Sequence, residues 1–398
     1  MSFICIAGKN QIAIKGVELL LNRGIKKNKI LACVNKTDDC KDSWQPSFKK
    51  YCLREEITIV TLDQLFLLND LIFISLEFDQ IINPQKFLSK HLYNIHFSKL
   101  PSYKGMYTSI LPILNGEKSS GVTLHVIEKG IDTGDIIDQI VFEISNKMRG
   151  IDLYFMYLKF GIELLEKNIE KLLNSNITTI QQDSINSTYF SKKQINFSEL
   201  NIDFNKTAYE IHNKIRAFTF RPYQLIMHDD ISISHSVITK KKSDQKPGNI
   251  VVNNENSFEI STIDYNLILY HDLLSEILHA AEIDDLSFIN KVYNQQYFLE
   301  DKNGKGWNAL IVSAYNESKE VFDFLIDVGN DINTYNNNGT SLLMYSVTKA
   351  CESNNTYFIK KLIDLGVNIM HKDYRNKTVY DYCKNLNNPL IYNFIKNA

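Results

Sequence analysis

The chain has 398 residues, of which 44% are hydrophobic and 23% charged, so it is long enough for two or three globular domains with apolar cores. Its net charge of −2 excludes a broadly basic surface of the kind that binds nucleic-acid phosphates. The N-terminal segment lacks the basic region of a signal peptide, and no apolar run reaches the roughly 18 residues of a membrane span. These features predict a cytoplasmic protein that contacts neither nucleic acid nor membrane.

Continuous apolar runs separated by a helical pattern open the chain. Residues 3–7, 30–34 and 70–75 predict buried strands, and a helical pattern over 17–21 follows the first of them. Such strands predict a parallel sheet covered on both faces. The first turn lacks Gly-x-Gly-x-x-Gly, so we expect a Rossmann-like α/β fold without a bound dinucleotide, with its active site beyond the carboxyl ends of the strands.

The cysteine spacing indicates neither a metal site nor disulfides. No Cys-x-x-Cys pair occurs, and Cys5 and Cys33 lie inside apolar runs typical of buried strands. We therefore expect reduced thiols and no metal.

Two polar segments carry the residues expected to do chemistry. The first is Asn94-Ile95-His96, and the second is Gly130-Ile-Asp-Thr-Gly-Asp135, which contains Asp132. Acyl transfer to an amine needs a proton acceptor, a donor to the oxyanion and a group that orients or charges the imidazole. We expect His96 to be the base or proton relay, Asn94 the oxyanion donor, and Asp132 the partner of the imidazolium.

Two neighbouring residues have alternative interpretations. Asp135 could replace Asp132 as the carboxylate. His125 lies on an alternating strand predicted over 121–126, where it either touches the chemistry or packs in the core.

A β-rich region follows the first domain. A helical pattern over 152–173 closes a domain predicted at 1–185, and a smaller domain is predicted at 186–269. It contains a predicted helix near 205–217 and alternating runs near 230–239, 249–253, 257–262 and 265–269.

An internal repeat fills the rest of the chain. Ala281, Ala314 and Val347 are spaced 33 residues apart, and Leu-Ile-Asp-Val-Gly at 325–329 recurs as Leu-Ile-Asp-Leu-Gly at 362–366. A 33-residue period with two short helices per unit resembles ankyrin repeats, which predicts an all-α domain over 270–398.

The flanks of the polar segments carry a family resemblance. NIHFSKLPSYKG and NGEKSSGVTLHVIEKGIDTGDII resemble the formyltransferases that use N10-formyltetrahydrofolate, the group of methionyl-tRNA formyltransferase and the nucleotide-sugar N-formyltransferases. The resemblance implies that Asn94, His96 and Asp132 are the catalytic residues. It also implies a folate donor consumed as co-substrate, a small β-rich second domain and a homodimer.

The resemblance places the folate along residues 75–82, where backbone groups would bind the pterin edge and apolar side chains its faces. The folate-binding residues expected from it are Ser75, Leu76, Phe78 and Ile81.

A nucleotide-linked amino sugar is expected as the formyl acceptor. Residues 104–108 depart from the Arg-Gly-x-x-Pro of the tRNA enzymes, and the loop 216–223 resembles the loop that closes over a sugar nucleotide. An aromatic face could stack on the base and Arg216 or Arg221 could meet the diphosphate, although Phe218 or Phe220 could instead be core residues. The substrate-binding residues expected are Lys104, Gly105, Met106, Tyr107, Arg216, Phe220 and Tyr223.

The ankyrin extension makes the resemblance greatest to enzymes that act on dTDP-3-amino-3,6-dideoxyglucose for bacterial O-antigen. Uridine-linked and 4-amino sugars stay open, as do a methionyl-tRNA formyltransferase activity and a protein-binding module with a vestigial enzyme. Trp307, next to a repeat turn, either packs locally or forms an accessory nucleotide-sugar site.

Overall fold

The computed structural model describes residues 2–386 and 388–396. The chain forms two compact units, one of residues 1–41 and 47–272 and the other of residues 42–46 and 273–398. The first unit contains both regions predicted as separate domains, 1–185 and 186–269, so the division into three domains stays a prediction.

The first half of the larger unit is a mixed sheet with helices on both faces. Its strands are β1 (Phe3–Gly8), β2 (Ile30–Val34), β3 (Thr58–Ile59), β4 (Leu71–Leu76), β5 (His91–His96), β6 (Lys104–Gly105), β7 (Ser119–Val126) and β8 (Ile136–Glu143). Its helices are α1 (Asn10–Asn22), α2 (Phe48–Arg54), α3 (Leu62–Phe66), α4 (Leu111–Leu114) and α5 (Gly150–Leu173).

Seven of these strands pair in the order β3-β2-β1-β4-β5-β7-β8. The strands from β3 to β5 are parallel to their neighbours, whereas β7 and β8 are antiparallel. The predicted Rossmann-like α/β fold is confirmed, and it has an antiparallel edge that the apolar runs did not indicate.

Helices α1 and α5 pack closely on one face of this sheet. A Cβ added at Gly16 would lie 2.8 Å from Cδ1 of Leu76, and one added at Gly161 would lie 3.0 Å from Cδ1 of Ile12. The opposite face is buried in a cluster that includes Phe73, Leu65 and Leu92. Because both faces are buried, polar side chains can meet only at the ends of the strands.

The elements of the β-rich region are β9 (Tyr189–Phe190), α6 (Ala208–Phe218), β10 (Ile226–His228), β11 (Ile231–Lys242), β12 (Ile250–Asn254), β13 (Ser257–Ile260) and β14 (Tyr265–His271). The last five strands form an antiparallel sheet in the order β10-β11-β14-β13-β12. Helix α6 packs on it and begins at a capping box in which Thr207 and Glu210 bond each other's backbone N–H.

The second unit is helical, and the predicted ankyrin repeats are confirmed. Ala281, Ala314 and Val347, which define the 33-residue period, are all fully buried. Gly329 and Gly366 have φ angles of 89° and 79°, which only glycine adopts readily, where two helices end. The helices are α7 (Leu274–Glu282), α8 (Leu286–Asn294), α9 (Ala309–Asn316), α10 (Lys319–Asp327), α11 (Leu342–Ser353), α12 (Tyr357–Asp364), α13 (Val379–Asn385) and α14 (Pro389–Lys396).

Within residues 2–386 and 388–396, no helix has the length and apolar character needed to cross a bilayer. In the same residues, no cluster of three or more His, Cys, Asp or Glu side chains is arranged to hold a metal ion.

Candidate active site

Three adjacent segments bring the predicted catalytic residues together. Asn94 and His96 lie at the carboxyl end of β5, and β7 runs antiparallel beside them with His125 opposite Asn94. Asp132 lies in the turn from β7 to β8, with a left-handed φ of 53°. Asp is one of the few residue types that accept this conformation at modest cost, which explains how a non-glycine residue occupies it.

The carboxylate of Asp132 faces the imidazole of His96. Nδ1 of His96 lies 3.5 Å from Oδ2 of Asp132, and the backbone N–H of Gly105 donates to the same oxygen at 2.9 Å. Nε2 of His96 donates to the carbonyl of Tyr103 at 2.8 Å. Because that bond holds a proton on Nε2, the free lone pair of the neutral ring is on Nδ1, next to the carboxylate.

His125 belongs to the same cluster. Its Nδ1 donates to the carbonyl of Val126 at 2.7 Å, so its Nε2 accepts from Nδ2 of Asn94 at 3.0 Å. The same Nε2 lies 3.6 Å from Oδ1 of Asp132. His125 was expected either to pack in the core or to touch the catalytic residues. It does both, since it is buried and also contacts Asn94.

Both N–H groups of the Asn94 amide point into this cluster. One is directed at His125, and the other at Oδ1 of Asp132 over 3.4 Å. An oxyanion that accepts from Asn94 must displace one of these bonds, and the longer bond to Asp132 is the weaker of the two.

Burial and charge act in opposition on the two ionisable partners. Burial lowers the pKa of His96 below its ordinary value, although Asp132 and the Tyr103 carbonyl favour its protonation. Burial alone would raise the pKa of Asp132, but attraction to the protonated form of His96 and the Gly105 N–H hold that pKa well below its usual range. The carboxylate is therefore ionised while the imidazole is neutral and able to accept a proton.

The alternative carboxylate, Asp135, is directed elsewhere. Its Oδ2 accepts from Oγ1 of Thr179 at 3.1 Å. The structure brings Asp132, rather than Asp135, to His96.

The predicted folate segment continues β4, whose Ser75 lies in register with Asn94 on β5. Ser75 and Leu76 are buried, and the side chain of Leu76 points into the core against Gly16, so only backbone groups of Leu76 could reach a ligand. The ring of Phe78 packs at 6.3 Å on Phe73, whereas Ile81 is 79% exposed.

The segment 104–107, predicted to bind the substrate, also contacts residues 187–192. Lys104 is buried and donates from Nζ to Oγ of Ser187 at 3.0 Å. Gly105 has a φ of 86°, and a Cβ there would lie 2.3 Å from the carbonyl oxygen of Phe190. Met106 is exposed, and Tyr107 has a φ of 63° and donates from its hydroxyl to the carbonyl of Lys192.

In the loop 216–223, the structure places Arg216 differently from its prediction. Arg216 is buried, and its guanidinium donates to Oδ1 of Asn213 and to the carbonyls of Ser145 and Met148. These bonds occupy three of the five guanidinium N–H groups and hold the side chain in the interior, which does not favour the predicted contact of Arg216 with a diphosphate.

The other arginine of the loop is held in an ion pair, and the loop's aromatic rings differ in exposure. Arg221 forms a bidentate pair with Asp272 at 2.6 and 3.0 Å. Phe218 and Phe220 are buried, as the core alternative expected, and Phe220 packs against Tyr154 and Tyr223. Tyr223 is 66% exposed.

One ionisable residue near the site was missed by the sequence analysis. Glu77, directly after β4, accepts from the hydroxyl of Tyr154 at 3.0 Å and from Nδ2 of Asn10 at 3.3 Å. Burial raises the pKa of Glu77 to about 7, against the opposing effects of Lys9 and these two donors. A single glutamate after an apolar strand has no pattern that would indicate such burial.

Three family models match the chain in succession. The formyl transferase model matches residues 68–165, the formyl transferase C-terminal domain model 194–274, and a model of three ankyrin repeats 277–373.

Two solved enzymes are similar over nearly their whole length. An N-formyltransferase from Helicobacter canadensis, in complex with folinic acid and dTDP-3-aminofucose, is 44% identical with a TM-score of 0.64, covering 68% of this chain and 100% of its own. WlaRD, a sugar 3N-formyl transferase solved with dTDP and 5-N-formyl-THF, is 46% identical with a TM-score of 0.64, covering 68% and 98%.

Methionyl-tRNA formyltransferases are also similar. The enzyme of Clostridium beijerinckii is 35% identical over 170 residues, which are 42% of this chain and 54% of that protein. The chain thus spans about half the length of the curated relatives it matches. Since the identity to the two solved N-formyltransferases extends over nearly all of their length, the chain belongs to the formyltransferase family, with ankyrin repeats after its formyltransferase regions.

Proposed function

We propose that the protein transfers a formyl group from N10-formyltetrahydrofolate to the amino group of a dTDP-linked amino sugar. The observation that carries this proposal is the contact between His96 and Asp132, with Asn94 beside them, in a chain 44% identical to an N-formyltransferase solved with folinic acid and dTDP-3-aminofucose. Bound N10-formyltetrahydrofolate would supply the electrophilic formyl carbon. The segment 75–82, with its exposed Ile81, would hold the folate ring.

His96 would remove the proton from the attacking amine. Its Nδ1 is the nitrogen with the free lone pair, because Nε2 donates to the Tyr103 carbonyl. When Nδ1 becomes protonated, the ionised Asp132 at 3.5 Å stabilises the imidazolium. Burial keeps the ring neutral before the reaction, so the base is available near neutral pH.

Asn94 would stabilise the negative charge that develops on the formyl oxygen. Its N–H toward Asp132 has a 3.4 Å bond to give up, whereas its N–H toward His125 stays engaged at 3.0 Å. A neutral amide donates to an oxyanion without adding a buried charge of its own.

We infer that the sugar is dTDP-3-amino-3,6-dideoxy-D-glucose and that the product serves O-antigen synthesis. The Helicobacter relative binds a sugar that also carries a 3-amino group. Tyr223 and Met106 are exposed side chains that could contact the nucleotide sugar, with Tyr223 stacking on thymine. The homodimer belongs to this proposal as well.

The repeats are proposed to carry an accessory nucleotide-sugar site at Trp307. The indole is partly buried and lies edge-to-face with Tyr315 at 5.4 Å and with Tyr345 at 4.9 Å. Local packing and ligand stacking are compatible here, because the indole is only partly buried by these two ring contacts.

A formylation assay with the full chain tests the function. Formyltetrahydrofolate is supplied with dTDP-3-amino-3,6-dideoxyglucose, with its 4-amino and uridine-linked counterparts, or with methionyl-tRNA. We expect turnover with the first acceptor at the highest kcat/KM. Turnover with methionyl-tRNA and with none of the sugars would instead support the second candidate function, methionyl-tRNA formylation. The 35% identity to the Clostridium enzyme favours that candidate. No turnover with any acceptor would support the ankyrin binding module with a vestigial enzyme.

A further inference from the structure

The segment that leaves α5 crosses the loop that carries Asp132. Ile180 exchanges two backbone hydrogen bonds with Ile136, both 2.8 Å long. Two residues further on, Nε2 of Gln182 donates to the carbonyl of Asp132 at 2.9 Å and to the carbonyl of Gly134 at 2.7 Å. The side chain of Gln182, which lies outside the turn between β7 and β8, therefore donates hydrogen bonds to two carbonyls of that turn.

The chemistry of these contacts determines the orientation of the Gln182 carboxamide. Both partners are acceptors, so the nitrogen must face them, and a flipped amide would place an oxygen against two oxygens. Its Oε1 is buried and has no hydrogen-bond partner among the described residues. Native proteins keep few unsatisfied buried acceptors.

These bonds hold the turn at its residue with a left-handed backbone. Asp132 has a φ of 53°, a conformation that few residue types besides glycine adopt. Its carbonyl is one of the two that Gln182 binds, while its Oδ2 accepts from Gly105 and faces Nδ1 of His96. If the carbonyl is released, the peptide plane can rotate and carry the carboxylate away from the imidazole.

We propose that Gln182 is a positioning residue for the transfer reaction. It holds the backbone of Asp132 and Gly134, and thereby keeps the Asp132 carboxylate facing His96. The proposal rests on the proposed formyl transfer. Gln182 needs no contact with either substrate in this role, because its effect passes through the carboxylate.

The test compares Gln182→Met with two controls in the full chain. Gln181→Met makes the same change at the exposed neighbouring residue, and Thr179→Ala removes the bond to Asp135 without touching Asp132. We expect Gln182→Met to lower kcat by about 10- to 100-fold, the effect of a misplaced catalytic group, with KM for both substrates unchanged within about twofold. Both controls should keep the wild-type kcat.

The pH profile provides a readout that loosened packing alone would not change. The groups facing His96 are Asp132 from the turn, His125 from β7 and the carbonyl of Tyr103. The Asp132 charge favours the protonated imidazole, so its withdrawal lowers the pKa of His96. The acidic limb of kcat/KM should therefore move to lower pH in Gln182→Met and stay in place in both controls.

The outcomes separate this proposal from the proposed function. If the wild-type protein formylates the sugar and Gln182→Met keeps its kcat and its acidic limb, the positioning role is wrong and the function stands. An equal loss in Thr179→Ala would also overturn it, since general loosening of the segment would then explain the effect. Should Gln182→Met not fold, Gln182→Asn, which keeps the amide and shortens its reach, is measured in the same way.

Discussion

The ring of His125 orients the amide of Asn94. Nδ1 of the ring donates to the Val126 carbonyl, so Nε2, 3.0 Å from Nδ2 of Asn94, must be the acceptor. This relationship decides that the nitrogen of the Asn94 amide, and not its oxygen, faces the cluster.

We expect His125→Phe to lower kcat by about 10- to 100-fold, because Asn94 loses the acceptor that holds its amide and the oxyanion donor becomes mobile. KM for the nucleotide sugar should stay near the wild-type value. Steady-state kinetics are compared with those of His235→Phe, which replaces a buried strand histidine in the other sheet. A wild-type kcat in His125→Phe would show that Asn94 is oriented without it.

Removal of the proton acceptor or its carboxylate should abolish most activity. His96→Asn and Asp132→Asn are each expected to reduce kcat roughly 10²- to 10⁴-fold, while the fold and sugar-nucleotide binding stay intact. Asp135→Asn is the matched control, because it lies in the same turn and does not contact His96. Near wild-type turnover in either active-site variant would remove that residue from the mechanism.

The exposed ring of Tyr223 gives a prediction that separates the two substrates. Tyr223→Ala should raise KM for the nucleotide sugar by about 10-fold, a loss of stacking, and leave KM for the folate unchanged. Tyr265→Ala, at an exposed position on β14, is the control. Equal increases in both KM values would indicate a packing defect in the loop 216–223 instead of a lost base contact.

Glu77 should make the stability of the protein depend on pH. The pKa of this carboxyl is raised to about 7 in the folded state, so the folded chain binds its proton more tightly than the unfolded chain does. Its contribution is most favourable below the unfolded pKa and is lost as the pH rises to about 7. Glu77→Gln should therefore gain free energy of unfolding relative to wild type between about pH 4.5 and 7.

Urea unfolding at several pH values measures this difference, with Glu163→Gln on the exposed side of α5 as the control. A difference between Glu77→Gln and wild type that does not change with pH would contradict the raised pKa of the Glu77 carboxyl.

Trp307 provides a prediction for the ankyrin repeats. If the repeats bind a second nucleotide sugar, calorimetry on the full wild-type chain should give two sites, and Trp307→Ala should remove one. Turnover under saturating substrate should persist in the variant. Tyr293→Ala, at an exposed position on α8, should keep both sites. A single site in the wild-type chain would leave a protein partner as the ligand of the repeats.

The sequence alone was sufficient for features that repeat locally. Apolar runs at 3–7, 30–34 and 70–75 predicted strands of the main sheet, and the 33-residue spacing of Ala281, Ala314 and Val347 predicted the repeats. Such patterns reflect whether a side chain faces water or core, which each segment encodes by itself. The Asn94 and His96 motif was recognised from its flanking sequence, which resembles that of the formyltransferases.

Only the tertiary structure decided which distant groups meet. The carboxylate of Asp132 meets His96 from β5, His125 from β7 and the backbone N–H of Gly105. Its backbone carbonyl is bound by Gln182, which lies beyond the end of α5. The choice of Asp132 over Asp135 and the burial of Arg216 likewise depend on strand register and loop closure. Periodicity carries no information about these contacts, because hydrogen bonds between separate segments form only after the sheet has brought those segments together.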